Sequence, residues 1–293
     1  MASGVDAALS RTRASAPERD PRTHACFSPL LSLGSIPRSG FPILVTILIL
    51  WNESCGPRGM AEAKKKTASG GETETAEPFL PSRISMRGLK QASAICRGCH
   101  LYLKATQTVF GEGRLRSRLM FVGEMPGDME DREGRPFVGP AGRILDTALA
   151  EVGISRAEAY VTNVVKHFKW EPKGKRRLHK TPNAAEVRAC MPWLEAEIEL
   201  LKPKVLVALG ATAAKSLFGR DFSISLQRGQ LLESELAPFV TSTMHPSAIL
   251  RQRGDADRRE EMSRLVQDLR LVERVLHDES DPRSKSVATA NDG

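Results

Sequence analysis

The sequence predicts an α/β fold: an αβα sandwich with a mostly parallel central sheet and helices on both faces. Three observations predict it. Short apolar runs alternate with stretches of helical period over most of the chain. One run, Val205 to Leu209, is apolar at every position, as in a strand covered on both sides. The helical stretches carry an apolar stripe on one face only, so each needs a surface to lie on.

The elements follow in order. Gly88 to Ile95 reads as a short helix leading into Cys96, and Leu119 to Gly123 as a compact strand ending in Gly-Glu-Met-Pro-Gly. Pro140 to Val152 has helical spacing, with Ile144, Leu145, Ala148 and Leu149 on one face and Gly153 as a stop. Ala159 to Val165 is a second strand. Residues 173–182, Lys-Gly-Lys-Arg-Arg-Leu-His-Lys-Thr-Pro, read as a basic loop. Asn183 to Leu201 is a long amphipathic helix entered by Thr181-Pro182, with Pro203 beyond its end. After the strand at Val205, Ala211 to Phe218 is a helix stopped by Gly219. Phe239 to Met244 is a strand ending in His245-Pro246-Ser247. A final helix from about Ala256 to His277 places Met262, Leu265, Val266, Leu269, Val272 and Leu276 on one stripe. There are no internal repeats.

With 293 residues, 41% hydrophobic and 27% charged, the chain has the composition and length for a sizeable core. The expected domain runs over residues 85–278. Residues 1–84 read as a low-complexity leader and 279–293 as a tail. Met60 opens a change in composition, so residues 1–59 are open to the reading of a gene-model artefact. Intact mass of the native protein tests it. The apolar run Phe41 to Trp51 is too short to span a membrane and follows too long a segment for an export signal. The net charge of +8 favours a polyanionic partner, although the leader contributes to it. Five cysteines, an odd number, do not read as a secreted disulfide framework. A reducing, cytoplasmic setting with a metal site fits better, and the chain is expected to be a monomer.

In a parallel sheet, ligands bind outside the carboxyl ends of the strands. Four segments fall there: Gly123-Glu124-Met125-Pro126-Gly127-Asp128, then Asn163, then Gly210-Ala211-Thr212, and finally His245-Pro246-Ser247. Each alone reads equally as a turn or cap. Together they bring a carboxylate, an amide and a histidine to one place. An asparagine amide donates and accepts, as a pyrimidine edge requires. A histidine can bond an oxygen that gains negative charge. A carboxylate can orient water or stabilise a cationic sugar. Phe137, in the rigid segment Gly134 to Gly142, is either a stacking platform for a flipped base or a core anchor. The basic loop suits phosphates, and His179 is its one side chain able to be a neutral nucleophile or base near pH 7. The plain alternative is a solvated loop with an incidental histidine.

Cys96-Arg97-Gly98-Cys99 has the spacing that lets two thiolates grip one metal centre. Redox pairs share this spacing but follow a strand, whereas this pair precedes the first one. Cys190 and His167 are the candidate further ligands. Cys190 also reads as an ordinary buried helix cysteine.

The segments GEMPGDMEDREGRPFVGPAGRIL, YVTNVVKHFKW, KRRLHKTP, LLKPKVLVALGATAAKSLFG and TMHPSAILR together resemble the iron–sulfur, type 4-like uracil-DNA glycosylases, and more narrowly their UdgX-type subgroup. The resemblance covers roughly residues 94–275. It implies a uracil-DNA glycosylase-like fold and a [4Fe–4S] cluster held by Cys96, Cys99, His167 and Cys190. It implies that Glu124 stabilises the sugar cation or activates water, and that His245 bonds uracil. Phe137 and Asn163 match the stacking and base-reading positions, with Gly123, Met125, Asp128, Arg177 and Ser247 around the substrate. His179 matches the residue that attacks the sugar after uracil leaves, trapping the protein on DNA. Where the subgroup reads Gly-Glu-Gln-Pro-Gly, Met125 stands here, and a glutamine able to bond the base or order the loop is missing.

The expected activity is uracil excision from DNA, preferentially single-stranded, with covalent capture through His179 and phosphates held by Lys175, Arg176 and Arg177. The alternatives are an ordinary glycosylase releasing abasic DNA, a non-catalytic binder of uracil-containing DNA, and a metal-stabilised α/β protein unrelated to DNA.

Overall fold

Four five-residue strands pair into one parallel sheet because each is apolar enough to be covered on both faces. The computed structural model describes residues 74–278. Residues 1–73 of the leader, including the Phe41 to Trp51 run and Met60, and the tail from 279 onward lie outside the described residues.

The chain runs α1 (Met86–Ser93), β1 (Leu119–Gly123), α2 (Asp128–Glu133), α3 (Pro140–Glu151), β2 (Ala159–Asn163), β3 (Trp170–Lys173), β4 (Arg176–His179), α4 (Ala184–Leu201), β5 (Val205–Leu209), α5 (Ala211–Phe218), α6 (Ile224–Gln227), β6 (Phe239–Thr243), α7 (Pro246–Leu250) and α8 (Asp255–His277). The main sheet has the order β2-β1-β5-β6, all parallel. From β1 the chain crosses to β2 on one side, then returns to β5 on the other. The order therefore reverses at the β1–β5 pair, where a crevice opens at the carboxyl ends.

Strand alternation divides the core in two. Met120, Val122, Leu206 and Ala208 face one layer with α1, α4 and α5, where Cys96, Cys99 and Cys190 also lie. Leu119, Phe121, Val205, Val207 and Leu209 face the other, with α3, α7 and α8. This is the expected sandwich. The packed chain begins before residue 85: Ala76 is buried and its amide donates to the Ala189 carbonyl of α4 at 2.7 Å.

Helix starts follow local chemistry. Asn183 and Glu186 form a reciprocal capping box on α4. Ser85 caps α1 through the Gly88 amide. Pro140 opens α3 at a position where a missing N–H costs nothing.

The main departure from expectation is the basic segment. It is not a loop but an antiparallel hairpin, β3 with β4, pairing Trp170 with His179 and Lys173 with Arg176. Gly174, at φ 59, makes its turn. Neighbouring charges masked the strand pattern: Glu171, Lys173 and Arg176 are exposed, while Arg177 is partly covered. The second strand also ends earlier, at Asn163, although the Val164 and Val165 amides still donate to the Gly123 and Glu124 carbonyls at 2.9 and 3.0 Å. No helix among the described residues is long and apolar enough to cross a membrane.

Candidate active site

Gly123 ends β1 directly opposite Asn163 at the end of β2. A Cβ at position 123 would stand 2.3 Å from Asn163 Oδ1 and 2.8 Å from Phe137 Cζ. The glycine therefore opens the space where an amide and an aromatic ring meet. Asn163 is 3% exposed. Phe137 has φ 56, a left-handed conformation that a bulky residue adopts only when its surroundings impose it. Two contacts impose it. Glu130 Oε1 accepts from the Gly139 amide at 3.0 Å, which fixes the far end of the loop. A Cβ at Gly142 would lie 1.7 Å from the Phe137 carbonyl oxygen, so a glycine there lets α3 close on the loop.

His245 forms the opposite wall. Its ring lies 6.0 Å from that of Phe137 with 24° between the planes. Gly210, at φ 88, makes room for it: a Cβ there would approach His245 Cβ to 2.9 Å. His245 Nδ1 accepts from the Ser247 amide at 3.1 Å. The neutral ring must then carry its proton on Nε2, which makes that nitrogen a donor. Desolvation pushes the His245 pKa down to about 4, and the Arg251 and His179 charges act in the same direction.

His179, the last residue of β4, places Nε2 3.9 Å from Glu124 Oε1. Loss of surrounding water lowers the His179 pKa; Glu124 opposes this and Arg251 reinforces it. Glu124 is fixed from its other oxygen, since Thr212 Oγ1 donates to Oε2 at 2.5 Å. The ring of His179 packs 6.0 Å from that of Phe168.

The expected contact residues divide. Arg177 is turned inward: its Nε bonds Asp128 Oδ1, its Nη1 lies 2.6 Å from Asp131 Oδ2, and Nη1 donates to Thr106 Oγ1 at 3.1 Å. The guanidinium also lies over Phe168 and Trp170 at 5.3 and 5.5 Å. It clamps the hairpin to α2, and Asp128 serves the same clamp rather than standing free. Lys175 and Arg176 remain exposed. Met125 is buried in the core layer that holds the cysteines. Ser247 Oγ accepts from Arg251 Nη1 at 3.1 Å, while its amide is capped by His245 Nδ1.

Cys96, Cys99 and Cys190 are free and buried. Among the described residues, no three His, Cys, Asp or Glu side chains stand close enough together to hold a metal ion. The donor chemistry nevertheless suits a thiolate-held centre. Trp193 Nε1 donates to Cys96 Sγ at 3.3 Å, and the Lys166 amide donates to Cys190 Sγ at 3.2 Å. Burial raises the Cys99 thiol to about 11 and the Cys190 thiol to about 12, with nearby thiols adding to both. His167 Nε2 lies 3.0 Å from Thr108 Oγ1, whose hydroxyl donates to the Ser93 carbonyl at 2.8 Å. Thr108 must therefore accept from His167, leaving Nδ1 as a free lone pair, the tautomer of a ligating histidine. Burial lowers the His167 pKa to about 4, so the ring stays neutral.

Sequence reasoning missed Arg251, whose charge reaches both site histidines, and Glu130, which fixes the Phe137 loop. Arg251 was visible as the residue one helical turn after Ser247. Glu130 looked like one carboxylate among several in α2.

Comparison with known proteins places this geometry. The profile of the uracil DNA glycosylase superfamily matches residues 110–270. A type-4 uracil-DNA glycosylase of Thermotoga maritima is 44% identical over 165 residues, covering 56% of this chain and 82% of that protein. One from Sulfurisphaera tokodaii is 38% identical over 176 residues, covering 57% and 76%. A crystal structure of Pedobacter heparinus SMUG2 superposes with a TM-score of 0.38 at 12% identity, over 54% of this chain and 76% of that one. With more than half its length matched by the superfamily profile, and with type-4 relatives this similar over most of their own length, the chain belongs to the uracil DNA glycosylase superfamily.

Proposed function

We propose that this protein excises uracil from DNA and then becomes joined to the sugar through His179. The single observation that carries the second half is the placement of His179 Nε2, 3.9 Å from Glu124 at the mouth of the pocket built by Gly123, Phe137, Asn163 and His245.

Uracil enters by flipping, which costs least in unpaired DNA, so single strands are the preferred substrate. Phe137 offers its ring face and Asn163 its amide to the base. The C1′–N1 bond breaks with its electron pair leaving on uracil, and His245 Nε2–H meets the oxygen that gains the charge. Glu124 faces the sugar cation. An imidazole lone pair of His179 then closes on C1′. The proton that the alkylated ring sheds balances the one that uracil takes up. A lowered pKa keeps His179 in the neutral form this step needs. Exposed Lys175 and Arg176 meet phosphates.

Ordinary turnover has an observation of its own. At 3.9 Å, His179 and Glu124 are not hydrogen-bonded to each other, so Glu124 Oε1 can instead hold a water that attacks in place of the ring. A labelled single-stranded oligonucleotide containing one uracil separates the readings. A detergent-resistant protein–DNA band that disappears in His179→Ala supports capture. Alkali-labile DNA without such a band means turnover, and intact DNA leaves only a binding role.

A [4Fe–4S] cluster belongs to the same proposal. Cys96, Cys99, His167 and Cys190 would hold it, and when bound it ties the segment before β1 to α4. Iron and acid-labile sulfide in the purified protein support it; stoichiometric zinc without iron refutes it.

A further inference from the structure

Behind the base pocket lies a fully buried ion pair that none of the steps above uses. Lys166 and Glu197 are 0% exposed, and their charged atoms are 2.5 Å apart. Buried pairs seldom stabilise a fold more than apolar side chains of the same size. Its partners show where it acts.

Lys166 Nζ donates to Glu197 Oε2, to Thr162 Oγ1 at 2.7 Å and to the Asn163 carbonyl at 2.7 Å. That satisfies all three ammonium protons. Glu197 also accepts from Tyr160 Oη at 2.7 Å, from Thr162 Oγ1 at 3.0 and 3.1 Å, and from the Gly111 amide at 3.2 Å. Every one of these groups but Gly111 belongs to β2 or to the turn that follows it. The network thus ties the last residues of β2, and Asn163 in particular, to α4. Backbone bonds hold this end of β2 to β1, through the Val164 and Val165 amides, and to Glu112; the buried network adds the tie to α4. The main-chain amide of Lys166 meets Cys190, and its ammonium lies over the Phe110 ring at 5.4 Å, so the residue is held at both ends.

Resting on the uracil reading above, we propose that Lys166, braced by Glu197, is a positioning residue that sets the Asn163 amide in the base pocket. It touches neither base nor sugar. Its effect is confined to DNA that presents a base to be read.

The test is the double variant Lys166→Met with Glu197→Gln. It removes both charges together and leaves no unpaired buried ion. Binding is measured to two single strands, one carrying 2′-fluoro-arabino-deoxyuridine, whose uracil is read but whose glycosidic bond resists cleavage, and one carrying a tetrahydrofuran abasic analogue. Affinity for uracil-DNA should fall about tenfold, the loss of one well-placed hydrogen bond, with affinity for the abasic strand unchanged and thermal unfolding still cooperative. The single variant Glu197→Gln, which keeps an acceptor for Lys166, should retain most of the preference for uracil. Equal losses on both strands, or no loss on either, overturn the assignment. A wild-type protein that does not distinguish uracil-DNA from the abasic strand refutes the uracil reading itself, a different failure from an unchanged variant on a discriminating parent.

Discussion

Gly123→Ala isolates the pocket from the rest of the molecule. The new methyl group projects between Asn163 Oδ1 and Phe137 Cζ, at 2.3 and 2.8 Å. Ordinary contact begins near 3.4 Å, so the amide must retreat by about 1.1 Å and the ring by about 0.6 Å. Neither yields easily. The Asn163 main chain is anchored through its backbone carbonyl to Lys166, and Phe137 is fixed by the loop that Glu130 and Gly142 hold. An amide displaced by an ångström loses its hydrogen bonds to the base, which is worth about 1–3 kcal/mol, or roughly ten- to hundredfold in rate at limiting DNA. Single-turnover release of uracil from a labelled strand measures it, alongside the circular dichroism melt. A wild-type rate in a folded Gly123→Ala protein would refute the placement of the base between Gly123, Asn163 and Phe137.

Two further outcomes follow from the geometry. Arg177→Met should leave the fully buried Asp131 carboxylate without its cation and cost about 3 kcal/mol, lowering the melting temperature by roughly 10 °C; an unchanged melt would mean that the hairpin is not docked through this clamp. His245 has a folded pKa of about 4, below the ordinary 6.5, so between these values the unfolded chain binds the extra proton and stability falls as pH falls. This group should account for about 2 kcal/mol of the loss between pH 7 and pH 5, and denaturant titrations should show His245→Gln losing less than wild type over that interval.

The order of strands and long helices was legible because hydrophobic period reports which faces are covered. Val205–Leu209 and α8 needed nothing more. The ends of β1 and β6 were legible because Gly123 and His245 each close an apolar run; the end of β2 was not, because Val164 and Val165 carry the apolar run past Asn163. The β3–β4 hairpin was not, because its residues carry charge on both faces and its one inward guanidinium, Arg177, is held by carboxylates distant in sequence. The same limit applies to Arg177 as a phosphate ligand: a cation in a basic run reads as surface until its partners are known. Lys166 and Glu197 were invisible for the opposite reason. They stand 31 residues apart, and nothing local announces that both are buried.

The close approach of Gly142 to the Phe137 carbonyl has a consequence for how base selectivity can drift. Position 142 lies in the first turn of α3, outside the walls of the pocket. Yet any side chain there would have to displace the backbone that aims the aromatic ring. On the proposed role of Phe137 as the base platform, selectivity is retuned by a change that a comparison of pocket-lining residues would never flag. A library meant to alter the accepted base should vary position 142 together with its lining, treating the helix start as the hinge pin on which the platform tilts.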